Sequence, residues 1–244
     1  MIPIRDENPT VHASLMTVVI IVANAVVWVF VQKLGTQPGL LQSVFEFGLI
    51  PGEFLGRVAP GTEVPVARGV KYVSEPGFEY HTILTSMFLH GSWIHIIGNM
   101  WFLGVFGDNV EDAMGSFRFV LFYLICGAAA ASAQIFADPM SMRPMVGASG
   151  AIGGVMGAYA LLYPTVRVRL LVFLGFFITT IGVPAVLMLG YWFALQVLAG
   201  MYGGQSGVAV WAHAGGFIAG LVLARLFCNR ERLAECRAKK EVRR

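Results

Sequence analysis

The amino-acid sequence predicts an all-α polytopic membrane protein, a bundle of six transmembrane helices with a long outer first loop. Three observations predict it. Of 244 residues, 57% are hydrophobic and 13% charged, with a mean hydropathy of +0.70, whereas a soluble domain carries about 25% charged residues. Six apolar runs approach the roughly 20 residues that a span requires. The bases gather in segments that six spans would leave on one side. The same composition excludes a disordered chain and a nucleic-acid-binding surface. It points to the lipid bilayer as the first partner.

The chain opens with a polar head, residues 1–13, containing Arg5, Asp6 and Glu7. Ser14–Val31 is the first apolar run. No small-residue cleavage site followed by a soluble domain comes after it, so it reads as a span rather than a signal peptide. Residues 35–80 are mixed, with five acids and three bases, and the outer loop they begin extends to about 91. Five further runs follow: Ser92–Gly107, Phe117–Phe136, Gly147–Tyr163, Val183–Met201 and Val208–Cys228. The stretch 170–182 is apolar as well. Residues 170–201 are nevertheless too short for two spans and a turn, which need about 40, so 170–182 reads as an interfacial or re-entrant segment. From Arg225 onward the chain holds eight bases against three acids, and Arg167 and Arg169 follow the fourth run. The positive-inside rule makes these segments cytoplasmic. The membrane domain is thus 14–228, both termini lie in the cytoplasm, and the loop over 35–91 is outside. The tail, 229–244, reads as a solvated end facing anionic lipid. Cys126, Cys228 and Cys236 fit no disulfide framework and no CxxC metal site.

Polar groups inside spans are costly and mark function. Span two carries His95 and Asn99, span four Ser149 and span six His213. All three spans run from outside to inside. At 1.5 Å per residue, the four residues fall at a similar depth in the outer leaflet. Taken singly, Ser149 reads as a hydroxyl bonded to its own helix and His213 as packing glue between helices. The shared depth is what points to a site.

Glycines supply the geometry. Ser149, Gly153 and Gly157 share one face of span four; His213, Gly216 and Gly220 share one face of span six. Small residues at such spacing let helix backbones approach closely, which brings a hydroxyl within reach of an imidazole, the pairing of nucleophile and base. No Asp or Glu occurs between Asp138 and Glu231, so a Ser–His dyad is expected rather than a triad. Ser149 opens its helix. Its free N–H, the Asn99 amide and the His95 ring would supply donors to a tetrahedral oxyanion.

Gly147-Ala148-Ser149-Gly150 resembles the GxSG motif of the rhomboid intramembrane serine proteases. His90 to Asn99 resembles that family's HxxxN signature with its preceding His. Ala212-His213, followed by Gly216 and Gly220, is similar to its AHxxGxxxG element. Gly107 to Glu111 is similar to its G-x-x-x-E cap, and Ile2 to Pro9 looks like the start of bacterial members. The resemblance implies a bacterial-type six-span rhomboid-like bundle in the cell (inner) membrane. It implies Ser149 as nucleophile, His213 as general base, and His95, Asn99 and the Ser149 N–H as oxyanion hole, with transmembrane helices of other proteins as substrates, cleaved near the outer face. No metal and no organic cofactor are expected. Oligomeric state is not legible.

Two positions depart from the family pattern. Where some members carry an aromatic that stacks on the catalytic His, this chain has Gly153. Where some carry a Trp-Arg pair in the first outer loop, it reads Tyr80-His81-Thr82. The rival readings are a non-proteolytic rhomboid-like protein that binds transmembrane clients, a small transporter, and a metal site from His81, His90 and His95. A transporter should show two similar halves, which this chain lacks. Span five and the glycine-rich loop Tyr202–Gly207 are expected to gate access to Ser149.

Overall fold

The computed structural model describes residues 2–242 apart from 68, 75, 76, 78, 175, 176 and 203–207. The chain is mostly helical. Helix α1 (Leu15–Val26) runs on into a π-helical turn at Val27–Val31. The stretch expected as a loop holds short α2 (Gly39–Phe47), α3 (Pro51–Phe54), an antiparallel hairpin of β2 (Glu63–Ala67) with β3 (Val70–Val73), and α4 (His81–Thr85). Strand β1 (Ile2–Asp6) precedes them all. Long helices α5 (Trp93–Met114), α6 (Ser116–Ala137), α8 (Ala185–Tyr202) and α9 (Val210–Phe227) then alternate with the shorter α7 (Ser149–Leu162). Among the described residues, α6, α8 and α9 are long and apolar enough to cross a membrane; Leu15–Val31 and α7 are apolar but shorter. The C-terminal end of α5 carries Asp108, Glu111 and Asp112, which lower its hydropathy.

Two expectations need correction. The all-α reading is incomplete, because 170–182 belongs to a β-hairpin. Strand β4 (Arg167–Leu174) pairs antiparallel with β5 (Phe177–Pro184), and β1 adds to the other edge of β4. The physical reason is period two: Val168, Leu170 and Val172 are buried, while Arg167, Arg169 and Phe173 point elsewhere. Such alternation favours a strand over a helical segment. The tail is not simply solvated either. It forms α10 (Arg230–Val242), which docks on the bundle. Arg232 Nε donates to the Asp112 carbonyl (2.9 Å), Lys239 Nζ to the Thr10 carbonyl (2.6 Å), and Cys236 is buried. The N-terminal segment and α10 therefore meet at one end of the bundle.

That end is tied together by polar groups. Glu111 accepts hydrogen bonds from Met16 N (2.9 Å), Thr17 N (2.7 Å) and Thr17 Oγ1 (2.8 Å), so it caps the otherwise unsatisfied first turn of α1. Ser116 Oγ donates to the same carboxylate at the start of α6. Tyr159 on α7 and Asn109 on α5 both donate to Asp6. Burial drives the Asp6 carboxyl up to about 7; the Tyr159 hydroxyl opposes the shift and the neighbouring Asp108 adds to it.

The core element is the contact of α7 with α9. A Cβ at Gly216 would lie 1.9 Å from the Gly150 carbonyl oxygen, and one at Gly220 2.0 Å from that of Gly154. At Gly157 it would lie 2.2 Å from the Phe217 carbonyl. Only hydrogen fits between the two backbones.

Gly220→Ala is therefore expected to lower thermal stability by about 1–3 kcal/mol, the usual cost of forcing extra volume into a packed site. Gly190→Ala, on the open face of α8 with nothing within 4 Å, should be neutral or slightly stabilising. Thermal unfolding in detergent compares the two. Asp6 predicts a pH dependence. Its folded value lies above the ordinary 3.8, so the folded chain keeps a proton that the unfolded chain releases. Stability should fall as pH rises from about 4 to about 7 and level off above that. In Asp6→Asn that slope should be reduced.

Candidate active site

Ser149 stands at the first position of α7, just after Gly147. Gly147 has φ +127°, a conformation that suits glycine, and a Cβ there would lie 2.7 Å from His95 Nε2. The Gly147 N–H donates to the Ser86 carbonyl (2.9 Å), which fixes the approach to the helix. Gly150 packs on Ala130 of α6. The serine is thus presented by a turn set by the Gly147 backbone and the Ser86 hydrogen bond.

Across the glycine seam, His213 Nε2 lies 2.7 Å from Ser149 Oγ. The sequence placed these groups at one depth on facing stripes, and the fold brings them into hydrogen-bond contact. The other ring nitrogen, Nδ1, lies 2.9 Å from Gln196 Oε1 on α8. An amide oxygen only accepts, so Nδ1 carries the proton and Nε2 keeps the lone pair that receives the Ser149 hydroxyl. Sequence reasoning missed Gln196 because the search for a third member considered only acids. An amide one span away was legible only as a polar residue inside an apolar run.

Trp192, one helical turn before Gln196, lies against the imidazole, with ring centroids 5.9 Å apart and planes 35° apart. It supplies the aromatic support that position 153 lacks. A Cβ at Gly153 would already be 2.9 Å from the His213 carbonyl oxygen, so a larger side chain would prise α7 from α9. Both supports of the imidazole come from one face of α8.

His95 and Asn99 face the same space. The Gly91 N–H donates to His95 Nδ1 (3.2 Å). That leaves Nε2 as the N–H donor, close beside Gly147. Asn99 is buried, and its Nδ2 has no hydrogen-bond partner. Both line a cavity of about 220 Å³ together with Ser149, Trp192, Gln196 and His213. A buried amide donor without a partner costs about 1–3 kcal/mol, and an arriving oxyanion would satisfy it. His90, buried against His95 with ring centroids 5.1 Å apart, lies outside this cavity lining. Among the described residues no group of three His, Cys, Asp or Glu is placed to hold a metal ion. Most of the loop expected to gate the site, 203–207, lies outside the described residues.

A family model described as the rhomboid domain matches residues 77–230, well over half of the chain. The chain belongs to the rhomboid family. Rhomboid protease GluP of Bacillus subtilis (strain 168) is 37% identical over 150 residues, 60% of this chain and 28% of that protein. RHOMBOID-like protein 6, mitochondrial, of Arabidopsis thaliana is 30% identical over 166 residues, 63% of this chain and 53% of its own length. Rhomboid protein 1, mitochondrial, of Saccharomyces cerevisiae is 29% identical over 96 residues, 38% and 28% of the two chains. The chain spans about half or less of the length of these relatives. Rhomboid members are generally intramembrane serine proteases, and the apolar helices of this chain make it an integral membrane protein.

The Gln196 contact makes a prediction that needs no substrate. Ring-nitrogen NMR of His213 should find Nδ1 protonated in the unaltered protein. Gln196→Leu should give a mixture of tautomers, because one hydrogen bond of about 0.5–1.5 kcal/mol no longer favours Nδ1–H. An unchanged single tautomer would mean that Gln196 does not orient the ring.

Proposed function

We propose that this rhomboid is an intramembrane serine endopeptidase. It cleaves transmembrane helices of other membrane proteins near the outer membrane face by a Ser149–His213 dyad. The observation that carries this reading is the 2.7 Å contact of Ser149 Oγ with His213 Nε2 beside an unpartnered Asn99 amide in one cavity. Family membership supports the reaction class.

In the proposed mechanism Ser149 Oγ attacks the scissile carbonyl carbon while its proton passes to His213 Nε2. Negative charge develops on the carbonyl oxygen. His95 Nε2–H, Asn99 Nδ2–H and the Ser149 backbone N–H are the donors positioned to meet it. Collapse breaks the C–N bond, and the proton on Nε2 leaves with the amine. A water, deprotonated by the same nitrogen, then attacks the ester carbonyl, and collapse breaks the C–Oγ bond as Nε2 returns the proton to Ser149 Oγ. Gln196 holds Nδ1–H throughout and stabilises the imidazolium as an acceptor. It is a positioning residue and makes no contact with the reacting atoms.

The arrangement in the membrane is part of the proposal. The six spans are Leu15–Val31 and helices α5 to α9, within a membrane domain of 14–228. Ser149 lies toward the outer face, and residues 35–91 lie on that side. The meeting of the N-terminal segment with α10 supports one side for both termini, and the basic residues there support the cytoplasm of a bacterial cell.

The test is cleavage of a single-span substrate by purified protein in vesicles, with the product ends identified. Ser149→Ala and His213→Ala should each abolish cleavage without loss of fold, and the double variant should be no worse than either single. Asn99→Ala should lower kcat by about 10²–10³ and leave measurable activity. If the unaltered protein binds the helix and leaves it intact, the chain is instead a non-proteolytic binder of transmembrane clients.

A further inference from the structure

The β4–β5 hairpin has no part in the chemistry above, yet its composition is unusual for a connection. From Leu170 to Pro184 there is no charged residue, and the only hydroxyls are Thr179 and Thr180. The base of the hairpin is held. Val168, Leu170 and Val172 join the bundle core, Ala185 N donates to the Val166 carbonyl, and β1 pairs with β4 from Val168 to Leu171. Beyond that pairing Val172 still packs on the core, while Phe173 and residues 177–180 are exposed. Phe173 is 56% exposed, Phe177 79% and Ile178 66%. Exposed large apolar side chains clustered like this mark a contact surface.

Charge and position say what covers it. At the base stand Arg167, which is exposed, and Arg169, which contacts Glu7 through Nε and Nη2. They lie at the end of the bundle where β1 and α10 bring further bases. The hairpin leads directly into α8, a helix long and apolar enough to cross a membrane. Its outward side continues the apolar surface through Leu187 (63%) and Tyr191 (66%). The direction fits too. Trp101 Nε1 donates to the Pro3 carbonyl and Asn8 meets Asn109, so β1 runs along α5 from its middle toward its acidic end. Strand β4 is antiparallel to β1 and runs back the other way, from Arg167 beside Glu7 to Leu171 beside Ile2. The apolar end of the hairpin therefore points away from the Arg residues and alongside the bundle.

We propose that the β4–β5 hairpin is a lipid-contact element, with its Arg167 end in the headgroup region remote from Ser149 and its apolar end against acyl chains. Phe173, Phe177 and Ile178 meet acyl chains, and Arg167 and the neighbouring bases meet phosphates. The outer edge of β5 bounds the depth. An open strand edge is not tolerated in hydrocarbon, so the hairpin lies where water still reaches that edge. The apolar tip and basic base give the element the same division of labour as an interfacial amphipathic helix. It rests on the membrane reading of the bundle, but not on proteolysis.

The experiment places an environment-sensitive fluorophore at single cysteines, Phe173→Cys, Phe177→Cys, Ile178→Cys, Arg167→Cys or Leu195→Cys. The background carries Cys228→Ala and keeps Cys126 and Cys236. Both are buried, and burial pushes the Cys236 thiol up to about 12, so neither competes for label. The protein is reconstituted in phosphatidylcholine–phosphatidylglycerol vesicles. Quenching by nitroxide-labelled lipid should exceed quenching by aqueous iodide several-fold at 173, 177 and 178, and the order should reverse at 167. Iodide quenching at 177 and 178 equal to that at 167, with Leu195 still quenched by lipid, would overturn the proposal while leaving the bundle in the membrane. Protection from both quenchers would mean that protein covers the hairpin, either a second copy or an added strand, and would also overturn it. If Leu195 is quenched by iodide, the membrane reading fails and the hairpin proposal falls with it.

Discussion

The contact between α7 and α9 is the constraint on which the other parts depend. A serine hydroxyl and an imidazole on different helices meet at hydrogen-bond distance only if the helix axes come unusually close. Side chains larger than hydrogen at Gly157, Gly216 and Gly220 would prevent that, because the facing carbonyl oxygens already occupy the space. Inside a bilayer there is no hydrophobic force to drive two apolar helices together. Close van der Waals packing and the hydrogen bonds it permits must do so instead. The glycine seam thus serves stability and site geometry at once. Its effect on chemistry is indirect: it sets a distance.

The site is assembled from four helices with different tasks. Helix α7 presents Ser149, the proposed nucleophile, from a turn that Gly147 makes possible. Helix α9 brings His213, the proposed base, and α5 contributes His95 and Asn99, one turn apart on one face. Helix α8 contributes no group that touches the reacting atoms in the proposed mechanism. It nevertheless carries both Gln196 and Trp192, the two contacts that hold the imidazole. Only Ala185 and Leu189 of this helix are fully buried, both near its start. The support of the proposed base therefore comes from the half-buried middle of the helix, where Trp192 and Phe193 pack on Phe217. Movement of its outer half would disturb the imidazole directly.

Much of the bundle was legible because its elements have simple periodicities. Apolar runs marked the other proposed spans to within two residues, while α5 continues seven residues past Gly107 into its acidic end, and the spacing of Ser149, His213 and the glycines foretold which faces meet. Glu111 appeared as a cap, and it does cap α1. The β4–β5 hairpin was obscured because a continuous apolar run satisfies helix and strand alike. The deciding signal, Val168, Leu170 and Val172 alternating with two arginines, spans only a few residues. The docking of α10 was hidden for another reason: Arg232 and Lys239 donate to backbone carbonyls, which carry no sequence signature. Gln196 escaped because the proton on Nδ1 needs only an acceptor, and an amide oxygen serves as well as a carboxylate.

The central claim is that the α7–α9 contact activates Ser149 through His213. The most direct test is to treat the protein in vesicles with a fluorophosphonate and locate the adduct by peptide mass spectrometry. A single adduct on Ser149 is predicted, lost in His213→Ala and strongly slowed in Gly220→Val, where the seam is forced apart. An adduct on another residue, or undiminished labelling of Ser149 without His213, would contradict it.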